Sequence, residues 1–390
     1  MRPLLLLFTL LGLGLTFTAC HAEQQNSSTA QEQAYEQSAA ATVPIQQKFA
    51  MESYARFNEP WALASLPDGR LLVTEKAGKL KLFDPATRQA LEVRGVPKVA
   101  YGGQGGLGDV QLHPNFTNNA WVYLSYAEAE GKQYGAVVIR AKLDLSNPAQ
   151  PKLTDLQRIW EQVPKVAGQG HYAHRIVFDT QAHLWISSGE RQKFQPAQDM
   201  KSNLGKVLHL HDDGRPQEQN PFYQQGGVTA QIWSLGHRNP LGMAFDHKNQ
   251  LWVVEMGPQG GDELNLVHKG KNYGYPLVSN GDHYDGRKIP DHGTRPEFET
   301  PKLDWTPVIS PSSLIFYQGK AFPQWTNKAL IGGLSSKAIV VVDPMSEPVR
   351  EVQRIDMGQR IRGLLQRTDG NIWVIEDGAQ ARLLLLKPAA

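Results

Sequence analysis

The sequence predicts an all-β protein, a six-bladed β-propeller with four-stranded antiparallel blades. Long apolar stretches of helical period are scarce, whereas Gly and Pro are frequent, with 36 and 25 among 390 residues. An alternating apolar run, a short polar turn and a second run rich in Trp, Val and Ile recur along the chain, which is typical of a β-hairpin. Further strand-like sequence, such as KLKLFDP or AIVVVDP, follows these hairpins and would complete each blade.

The hairpin pattern occurs six times, at intervals of roughly 45 to 70 residues. The copies are Trp61–Glu75, Val110–Tyr126, Ile176–Glu190, Met243–Gly257, Leu314–Leu334 and Leu364–Asp377. A β-sandwich would need fewer and more evenly spaced strands, so radial repetition fits better. The last apolar run, RLLLLKP, needs a partner for its backbone, and we therefore expect the closing blade to combine strands from both ends of the chain.

The N-terminal region predicts export. Residues 1–20 contain Arg2, an apolar run too short for a stable membrane-spanning helix and the end Thr-Ala-Cys, which together resemble a lipoprotein signal peptide. Acylation of Cys20 would anchor the protein to the outer membrane, and cleavage near Ala22 is the alternative. Residues 21–45 have almost no large apolar side chains and predict a flexible tether, which leaves residues 46–390 for the propeller. The expected location is the periplasm.

Composition and charge narrow the partners to small molecules. The formal net charge is +2 with scattered Lys and Arg, which argues against nucleic acid and against membrane contact other than a lipid anchor. Cys20 is the single cysteine, so an intramolecular disulfide and a cysteine-based metal cluster are excluded. Both a monomer and a homodimer remain open.

Polar loops at one face of a propeller converge on the central channel, so motifs distant in sequence can form one site. GHRNP places Arg238 and Asn239 directly before the fourth hairpin, and MGPQGGDELN follows that hairpin. The Gly257–Pro258 carbonyls could face a hard cation, and Asp262 and Glu263 could add the carboxylate oxygens that calcium prefers. The alternative is an ordinary turn, with Arg238 paired to a neighbouring carboxylate.

Three further elements belong to the predicted site. Gln104 lies in a Gly-rich loop that a ligand could approach closely, and Arg360 and Arg362 are two residues apart in GQRIRG. Two guanidinium groups on one strand face repel unless an anion lies between them, so they predict either an anionic ligand or salt bridges to acidic neighbours. His171 and His174 are candidate general bases, although a histidine can also be purely structural.

The motifs GGQGGLGD, GHRNPLGMAF, GPQGGDELNLVHKGKNYGYP and GQRIRG, in this order, resemble the soluble quinoprotein sugar dehydrogenases of the glucose/sorbosone dehydrogenase family. The resemblance covers nearly everything after Ala50 and is greatest to the aldose sugar dehydrogenase branch. It implies two cofactors, pyrroloquinoline quinone (PQQ) and calcium. It also implies oxidation of an aldose at its anomeric C1 hydroxyl to the lactone, with electrons passed to an external acceptor.

The resemblance also implies residue roles. His171 would accept the hydroxyl proton during hydride transfer, and Arg238 would help polarise the receiving carbonyl of PQQ. The Gly257 and Pro258 carbonyls would bind the catalytic calcium, and Glu263 with the Tyr273 carbonyl would bind a second, structural calcium. Trp305 would lie near the sugar, with core packing as the alternative. The residues implied to hold PQQ are Gln104, Arg238, Asn239, Tyr284, Arg360 and Arg362.

The chain departs from the family pattern at two positions. Ser335 stands where relatives carry a lysine, and Lys337, two residues later, could replace it by reaching from the same strand face. Gly170 stands where the glucose-specific branch has an acidic residue, so the sugar is not identified. Two other readings remain open, a non-catalytic propeller that binds sugar or another ligand and a calcium-dependent lactonase.

Overall fold

The structure is a computed structural model that describes residues 49–389. The predicted signal peptide of residues 1–20 and the tether of residues 21–45 lie outside the described residues. Within the described range, 24 strands form six separate four-stranded antiparallel sheets. The prediction of an all-β, six-bladed propeller is confirmed. None of the described helices is both long and apolar enough to cross a membrane.

The blades follow one another along the chain, and each is built from four consecutive strands except the last. Blade 1 consists of β2 (Pro60–Ser65), β3 (Leu71–Glu75), β4 (Lys79–Asp84) and β5 (Gln89–Val93). Blade 2 consists of β6 (Leu107–Leu112), β7 (Trp121–Glu130), β8 (Gln133–Asp144) and β9 (Lys152–Glu161). Blade 3 consists of β10 (Ala173–Phe178), β11 (Leu184–Ser188), β12 (Lys206–Leu210) and β13 (Ile232–Leu235).

The second half repeats this arrangement. Blade 4 consists of β14 (Pro240–Phe245), β15 (Leu251–Glu255), β16 (Asp262–Leu266) and β17 (Leu303–Trp305). Blade 5 consists of β18 (Pro311–Phe316), β19 (Ala329–Gly333), β20 (Ala338–Asp343) and β21 (Arg350–Asp356). Blade 6 consists of β22 (Ile361–Gln366), β23 (Ile372–Glu376), β24 (Ala381–Pro388) and β1 (Phe49–Phe57). The first two strands of each blade are the hairpin that the sequence predicts.

Between residues 49 and 389, helical structure is confined to short turns between strands. A single-turn α-helix, α1, spans Phe116–Asn119. The described 3-10 helices are Gln195–Ala197, Tyr223–Gln225, Gly227–Gln231, His292–Thr294 and Pro323–Trp325.

The ring closes by pairing the two ends of the described chain. Strand β1 runs antiparallel to β24, from Phe49 opposite Pro388 to Phe57 opposite Ala381. This pairing gives the last apolar run the backbone partner that it requires, and it confirms the predicted closing blade.

The core is divided into six apolar clusters, one between each pair of neighbouring blades. Successive side chains of a strand point to opposite faces, so a buried strand contributes to two clusters. In β23, Ile372 and Val374 pack against blade 5, whereas Trp373 and Ile375 pack against blade 1. Burial of such side chains contributes about 1.5–3 kcal/mol each.

Every blade has an irregularity in register between its first two strands, at the same end. In blade 3 the shift lies between Ala173 and Ile176, and in blade 6 between Ile361 and Gly363. Bulges bend a strand and redirect its side chains, and they are common next to active sites. Here they lie at the mouth of the channel.

Arg175 crosses the channel axis and ties several blades together. Its guanidinium donates to Asp109 Oδ1 at 3.0 Å, to the Leu241 carbonyl at 2.9 Å and to the Ser312 carbonyl at 2.8 Å. It also lies 4.1 Å from the centre of the Trp61 ring. These contacts reach blades 1, 2, 4 and 5, so Arg175 links the inner strands of five blades.

Candidate active site

A cavity of about 390 Å³ opens at the mouth of the channel where the innermost strands begin. Residues from all six blades or their connecting loops line it, as the sequence predicts for a propeller site. The lining residues are Glu59, Trp61, Lys76, Gly103, Gln104, Tyr172, Ala173, His174, Leu241, Met256, Ser310, Leu334, Arg360, Arg362, Asp377 and Gly378.

One wall of the cavity is cationic. Arg360, Arg362 and Lys76 line it, and they outnumber the two carboxylates there, Asp377 and Glu59, of which Glu59 lies 3.5 Å from Lys76 Nζ. Asp377 lies between the two arginines and accepts from Arg360 Nε and from Arg362 Nε, each at 2.9 Å. Burial alone would raise the pKa of Asp377, but the two guanidinium groups hold it below its ordinary value. The acidic neighbour that the sequence left as an alternative is therefore present, although the arginines still face the cavity.

His171 and Glu190 form a buried pair beside this cavity. The side chain of His171 contacts Glu190 Oε1 through Nδ1 at 2.5 Å. Glu190 Oε2 accepts from the backbone N–H groups of Lys193 and Phe194 at 2.5 and 2.7 Å, so the carboxylate is fixed. With Nδ1–H bonded to a carboxylate, the lone pair of His171 is on Nε2.

The environment keeps His171 neutral. The residue is 7 % exposed, and burial lowers the pKa below the ordinary 6.5, while the hydrogen bond that His171 donates to Glu190 opposes this shift. The backbone of His171 is left-handed, with φ of +48°, and its N–H donates to Gln104 Oε1 at 2.7 Å. Gln104 therefore holds the loop that carries the histidine.

His174, the other candidate base, is packed differently. Its ring stacks on Trp61 with a centroid distance of 5.1 Å, and Nδ1 lies 2.6 Å from Ser125 Oγ. Full burial lowers its pKa to about 3. A Cβ atom at Gly108 would lie 1.9 Å from this ring. The ring therefore packs directly against the backbone of β6 and cannot move toward it. The geometry gives His174 a packing role.

The GHRNP segment is anchored by Glu255. His237 is fully buried and contacts Glu255 Oε1 through Nδ1 at 2.8 Å. The other carboxylate oxygen accepts the backbone N–H of Arg238 at 2.7 Å. His237 is therefore a structural residue that positions its neighbour Arg238.

Arg238 faces the Gly-Pro turn that follows β15. Its Nη1 donates to the carbonyl of Met256 at 2.9 Å and to that of Gly257 at 2.6 Å. The carbonyl of Gly257 thus binds the guanidinium of Arg238, and the predicted binding of calcium by Gly257 and Pro258 stays a prediction. Arg238 Nε and both side-chain amide atoms of Asn239 are buried without a hydrogen-bond partner.

Asp262 fastens this turn. Its Oδ1 accepts from Gly257 N–H at 2.8 Å and its Oδ2 from Ser310 N–H at 2.7 Å. Burial raises the pKa of Asp262 to about 7. Both oxygens of Asp262 thus bind backbone amides, and its role as a calcium ligand stays a prediction.

Glu263 and Tyr273, the residues implied for a second calcium, lie in one buried cluster. Glu263 accepts from Asn265 Nδ2 at 3.0 Å and contacts His292 Nε2 at 3.2 Å. Burial raises the pKa of Glu263, and the nearby carboxylate of Glu255 adds to this. Asn265 Oδ1 is buried without a hydrogen-bond partner, so the cluster contains an oxygen atom that could bind a cation.

Two aromatic rings lie over Arg238. Tyr284 is 70 % exposed, and its ring centre is 6.0 Å from the guanidinium carbon. Tyr275, which the sequence analysis missed, lies 5.8 Å from the same atom. The structure therefore brings the predicted Tyr284 to the site.

Of the residues predicted for the site, Gln104, His174, Arg360 and Arg362 line the cavity itself, whereas the others, including Trp305 and Lys337, do not. Trp305 packs in the apolar cluster between blades 4 and 5 and donates to Glu351 through Nε1 at 3.0 Å. Its ring fills the gap between two blades, which is the core packing that the sequence analysis gave as the alternative, and a contact with the sugar stays a prediction. Lys337 is exposed in the left-handed turn between β19 and β20, while Leu334 lines the cavity. Its contact with a cofactor stays a prediction.

Gly170 has little room for a side chain. A Cβ atom there would lie 2.3 Å from Gln192 Oε1, so an acidic residue would require this side chain to move. Gln192, like Glu190, follows β11 in the segment GERQKF, which the sequence analysis did not single out. The available signal was Glu190 itself, an acidic residue that follows an apolar strand at the end of a predicted hairpin.

A six-bladed propeller with a cationic cavity and a buried His–Glu pair at its channel mouth defines an enzyme that acts on a small molecule. The sequence profile of the family described as Glucose / Sorbosone dehydrogenase matches residues 57–385. The chain belongs to this family of oxidoreductases, as its motifs predict.

Individual relatives agree with this assignment. The aldose sugar dehydrogenase YliI of Escherichia coli K12 is 39% identical over 346 residues, which cover 85% of this chain and 91% of that protein. The apo-form crystal structure of the soluble aldose sugar dehydrogenase from Escherichia coli has a TM-score of 0.82 at 37% identity and covers 88% of this chain and 100% of its own. The PQQ-bound aldose sugar dehydrogenase from Streptomyces coelicolor has a TM-score of 0.71 at 26% identity, with coverages of 88% and 99%.

Proposed function

We propose that this protein oxidises an aldose at its anomeric C1 hydroxyl to the lactone, with PQQ and calcium as cofactors. The observation that carries the proposal is the neutral His171, held by Glu190 beside a cavity with a cationic wall. Family membership supports sugar oxidation, and the PQQ-bound structure of a relative supports the choice of cofactor.

The residues at the channel mouth fit a polar, anionic cofactor. Tyr172 Oη, Arg238 Nε and the amide atoms of Asn239 are buried and lack hydrogen-bond partners in the described residues. An unsatisfied buried polar group costs about 1–3 kcal/mol, so a bound ligand that pairs with these atoms would be favoured. Lys76, Arg360 and Arg362 add the cations that bind carboxylates.

These residues divide between PQQ and calcium. Arg360, Arg362 and Gln104 would hold PQQ on one side, and Arg238 with Asn239 on the other. The carbonyls of Gly257 and Pro258 would bind the catalytic calcium, since a carbonyl oxygen has a second lone pair besides the one used by Arg238. When bound, PQQ accepts the hydride from the sugar, and calcium polarises the carbonyl that receives it.

The protein's own part in the reaction is proton transfer and positioning. His171 Nε2 accepts the proton of the C1 hydroxyl while the C1 hydride leaves the sugar. Glu190 keeps the other ring nitrogen protonated and stabilises the imidazolium that forms. Gln104 fixes the backbone of His171, so the ring is oriented before the substrate binds.

One assay tests the proposal against both alternatives. Purified protein is supplied with PQQ and calcium, and reduction of a dye is followed with a panel of aldoses. Sugar-dependent reduction is expected. Retention of PQQ absorbance without any reduction would indicate a binding propeller, and lactone hydrolysis in the absence of PQQ would indicate a lactonase.

We further propose that the protein works in the periplasm, attached to the outer membrane through an acylated Cys20. Support comes from the signal-like sequence of residues 1–20 alone. Sugar oxidation outside the cytoplasm would deliver electrons to an external acceptor. Mass spectrometry of the mature N-terminus tests the lipid, because an unmodified terminus near Ala22 would contradict it.

A further inference from the structure

A second cluster of potential metal ligands lies at the opposite face of the propeller. Strand β10 begins at the cavity with Ala173 and ends at Phe178, and the turn to β11 follows it. Asp179 and His183 lie in this turn, and His209 lies on the neighbouring strand β12. One ligand atom from each of these three residues lies within 4.8 Å of the others.

We propose that Asp179, His183 and His209 bind a divalent transition-metal ion of the zinc type, at a site separate from the calcium sites proposed above. Two imidazole nitrogens and one carboxylate oxygen form a ligand set that suits zinc or copper, whereas calcium prefers oxygen ligands throughout. Three protein ligands with one open position are also the pattern of accessible zinc sites.

The distances already approach those of a metal centre. His183 Nδ1 lies 3.2 Å from Asp179 Oδ2 and 3.3 Å from His209 Nε2. Zinc–ligand bonds of about 2.0–2.1 Å at tetrahedral angles place neighbouring ligand atoms about 3.3 Å apart. Two of the three ligand pairs thus already have this spacing, and the third pair, Asp179 and His209, lies within 4.8 Å. Binding through His183 Nδ1 also requires the ring proton to move to Nε2.

The orientation of His209 is fixed by an outer partner. Asn220 Nδ2 donates to the carbonyls of His209 and Ala230, at 2.7 and 2.8 Å, which leaves Asn220 Oδ1 to accept from His209 Nδ1 at 2.9 Å. The lone pair of His209 is thus on Nε2, which faces His183. Metal-binding histidines commonly have such a hydrogen bond at the other ring nitrogen.

The turn architecture explains Asp179 but not the two histidines. Asp179 accepts two backbone N–H groups of its turn and the indole N–H of Trp185 at 3.0 Å. In blade 4, Asp246 makes the same contacts, including the indole of Trp252 at 3.0 Å. The Asp–Trp pair is therefore a repeated structural device.

The positions of the histidines differ between the two blades. The turn residue that corresponds to His183 is Gln250, which donates its backbone N–H to Asp246 in the same way. His209 pairs with Trp185, and the residue that pairs with Trp252 is Leu266. A blade of this chain thus folds without either histidine. In blade 3 the ring of His209 also stacks on Trp185, with a centroid distance of 4.0 Å, and this contact leaves its Nε2 directed at His183.

The three ligands lie at a cavity, although His209 itself is only 3 % exposed. His183 and His209 line a cavity of about 280 Å³ that also contacts His268 and Gln219. A metal held by the three ligands could therefore keep a water molecule or an external ligand in its open position.

Zinc and copper titrations test the site on the full chain, prepared without a histidine tag and treated with chelator. We expect one Zn²⁺ per chain by calorimetry, and a Cu²⁺ spin-resonance spectrum with hyperfine splitting from two nitrogens. His183→Gln and His209→Leu use the residues of blade 4, and each should weaken zinc binding by more than about tenfold. Each should also remove one nitrogen from the copper spectrum.

His211→Gln is the matched control, because this nearby histidine pairs with Glu218 outside the three ligands. It should leave zinc binding unchanged. The proposal is overturned if the wild-type chain binds no zinc, if His183→Gln binds it as tightly as wild type, or if His211→Gln alone abolishes binding. Should His209→Leu prove unstable, His183→Gln decides. Sugar oxidation by His183→Gln should equal wild type, so this test is independent of the proposed function.

Discussion

Replacement of Glu190 by Gln should prevent His171 from acting as the general base while the cofactor still binds. The two backbone N–H groups of Lys193 and Phe194 bind one carboxylate oxygen, and they would hold the carbonyl oxygen of the glutamine in its place. The glutamine NH₂ would then face His171 Nδ1 and donate to it. The ring proton would move to Nε2, where the base needs its lone pair.

The expected losses follow from this geometry. General-base catalysis contributes about 10²- to 10⁴-fold, so kcat for sugar-dependent dye reduction should fall by that factor. The rate falls as pH falls through the pKa of His171, because only the neutral ring accepts a proton. Glu190 holds this pKa up against burial. A hydrogen bond to a charged group contributes about 1.5–3 kcal/mol, so its loss should move the remaining acid limb about one to two pH units lower.

The assay is a pH profile of kcat at saturating PQQ and calcium, with PQQ absorbance as the check that the cofactor still binds. Glu376→Gln is the matched control, since Glu376 is also a buried carboxylate, and it pairs with Arg382 and not with a histidine. Its pH profile should equal wild type. A Glu190→Gln enzyme with kcat within about threefold of wild type and an unmoved acid limb would refute the assigned role of Glu190.

Three further expectations can be checked in parallel. Arg362→Gln should weaken PQQ binding about 10- to 100-fold in an absorbance titration, and Arg360→Gln by less, because their side chains are 13 % and 48 % exposed; equal losses would contradict this. His174→Gln should leave the acid limb of the pH profile in place, since burial lowers the pKa of His174 to about 3 and keeps it neutral throughout the assay; a lost limb would transfer the base role to it. Asp109→Asn should lower the free energy of unfolding by about 3–5 kcal/mol in denaturant, because it leaves Arg175 unpaired in the channel. The double variant Asp109→Asn/Arg175→Met should recover most of the lost free energy of unfolding. A single variant as stable as wild type would show that the ion pair contributes little to stability.

The fold could be predicted from the sequence because its signals are local. Each hairpin is specified by the alternation of apolar and polar residues over a few positions and by the polar turn between two apolar runs. Neither signal depends on how the blade is placed in the ring. The pairing of β1 with β24 was predictable for a different reason, since an apolar strand at the end of the chain requires a backbone partner. The motifs around Gln104, Arg238 and Arg362 likewise indicated which loops would meet at the channel.

The partners within the site were decided by the tertiary structure. His171 contacts Glu190, Arg360 and Arg362 share Asp377, and Arg238 reaches the Gly257 carbonyl. These contacts join residues at the ends of different strands, and bulges at the channel mouth determine where each side chain points.

Trp305 shows the same division between local and tertiary information. Its sequence context, LDWTPVISPSS, suits both a cavity wall and a core, and the packing of blade 4 against blade 5 decided for the core. The sequence by itself thus determined the blades, their number and the loops that carry the chemistry. Only the tertiary structure decided which side chains touch, because the twist between neighbouring blades and the space at their interfaces do not depend on local periodicity.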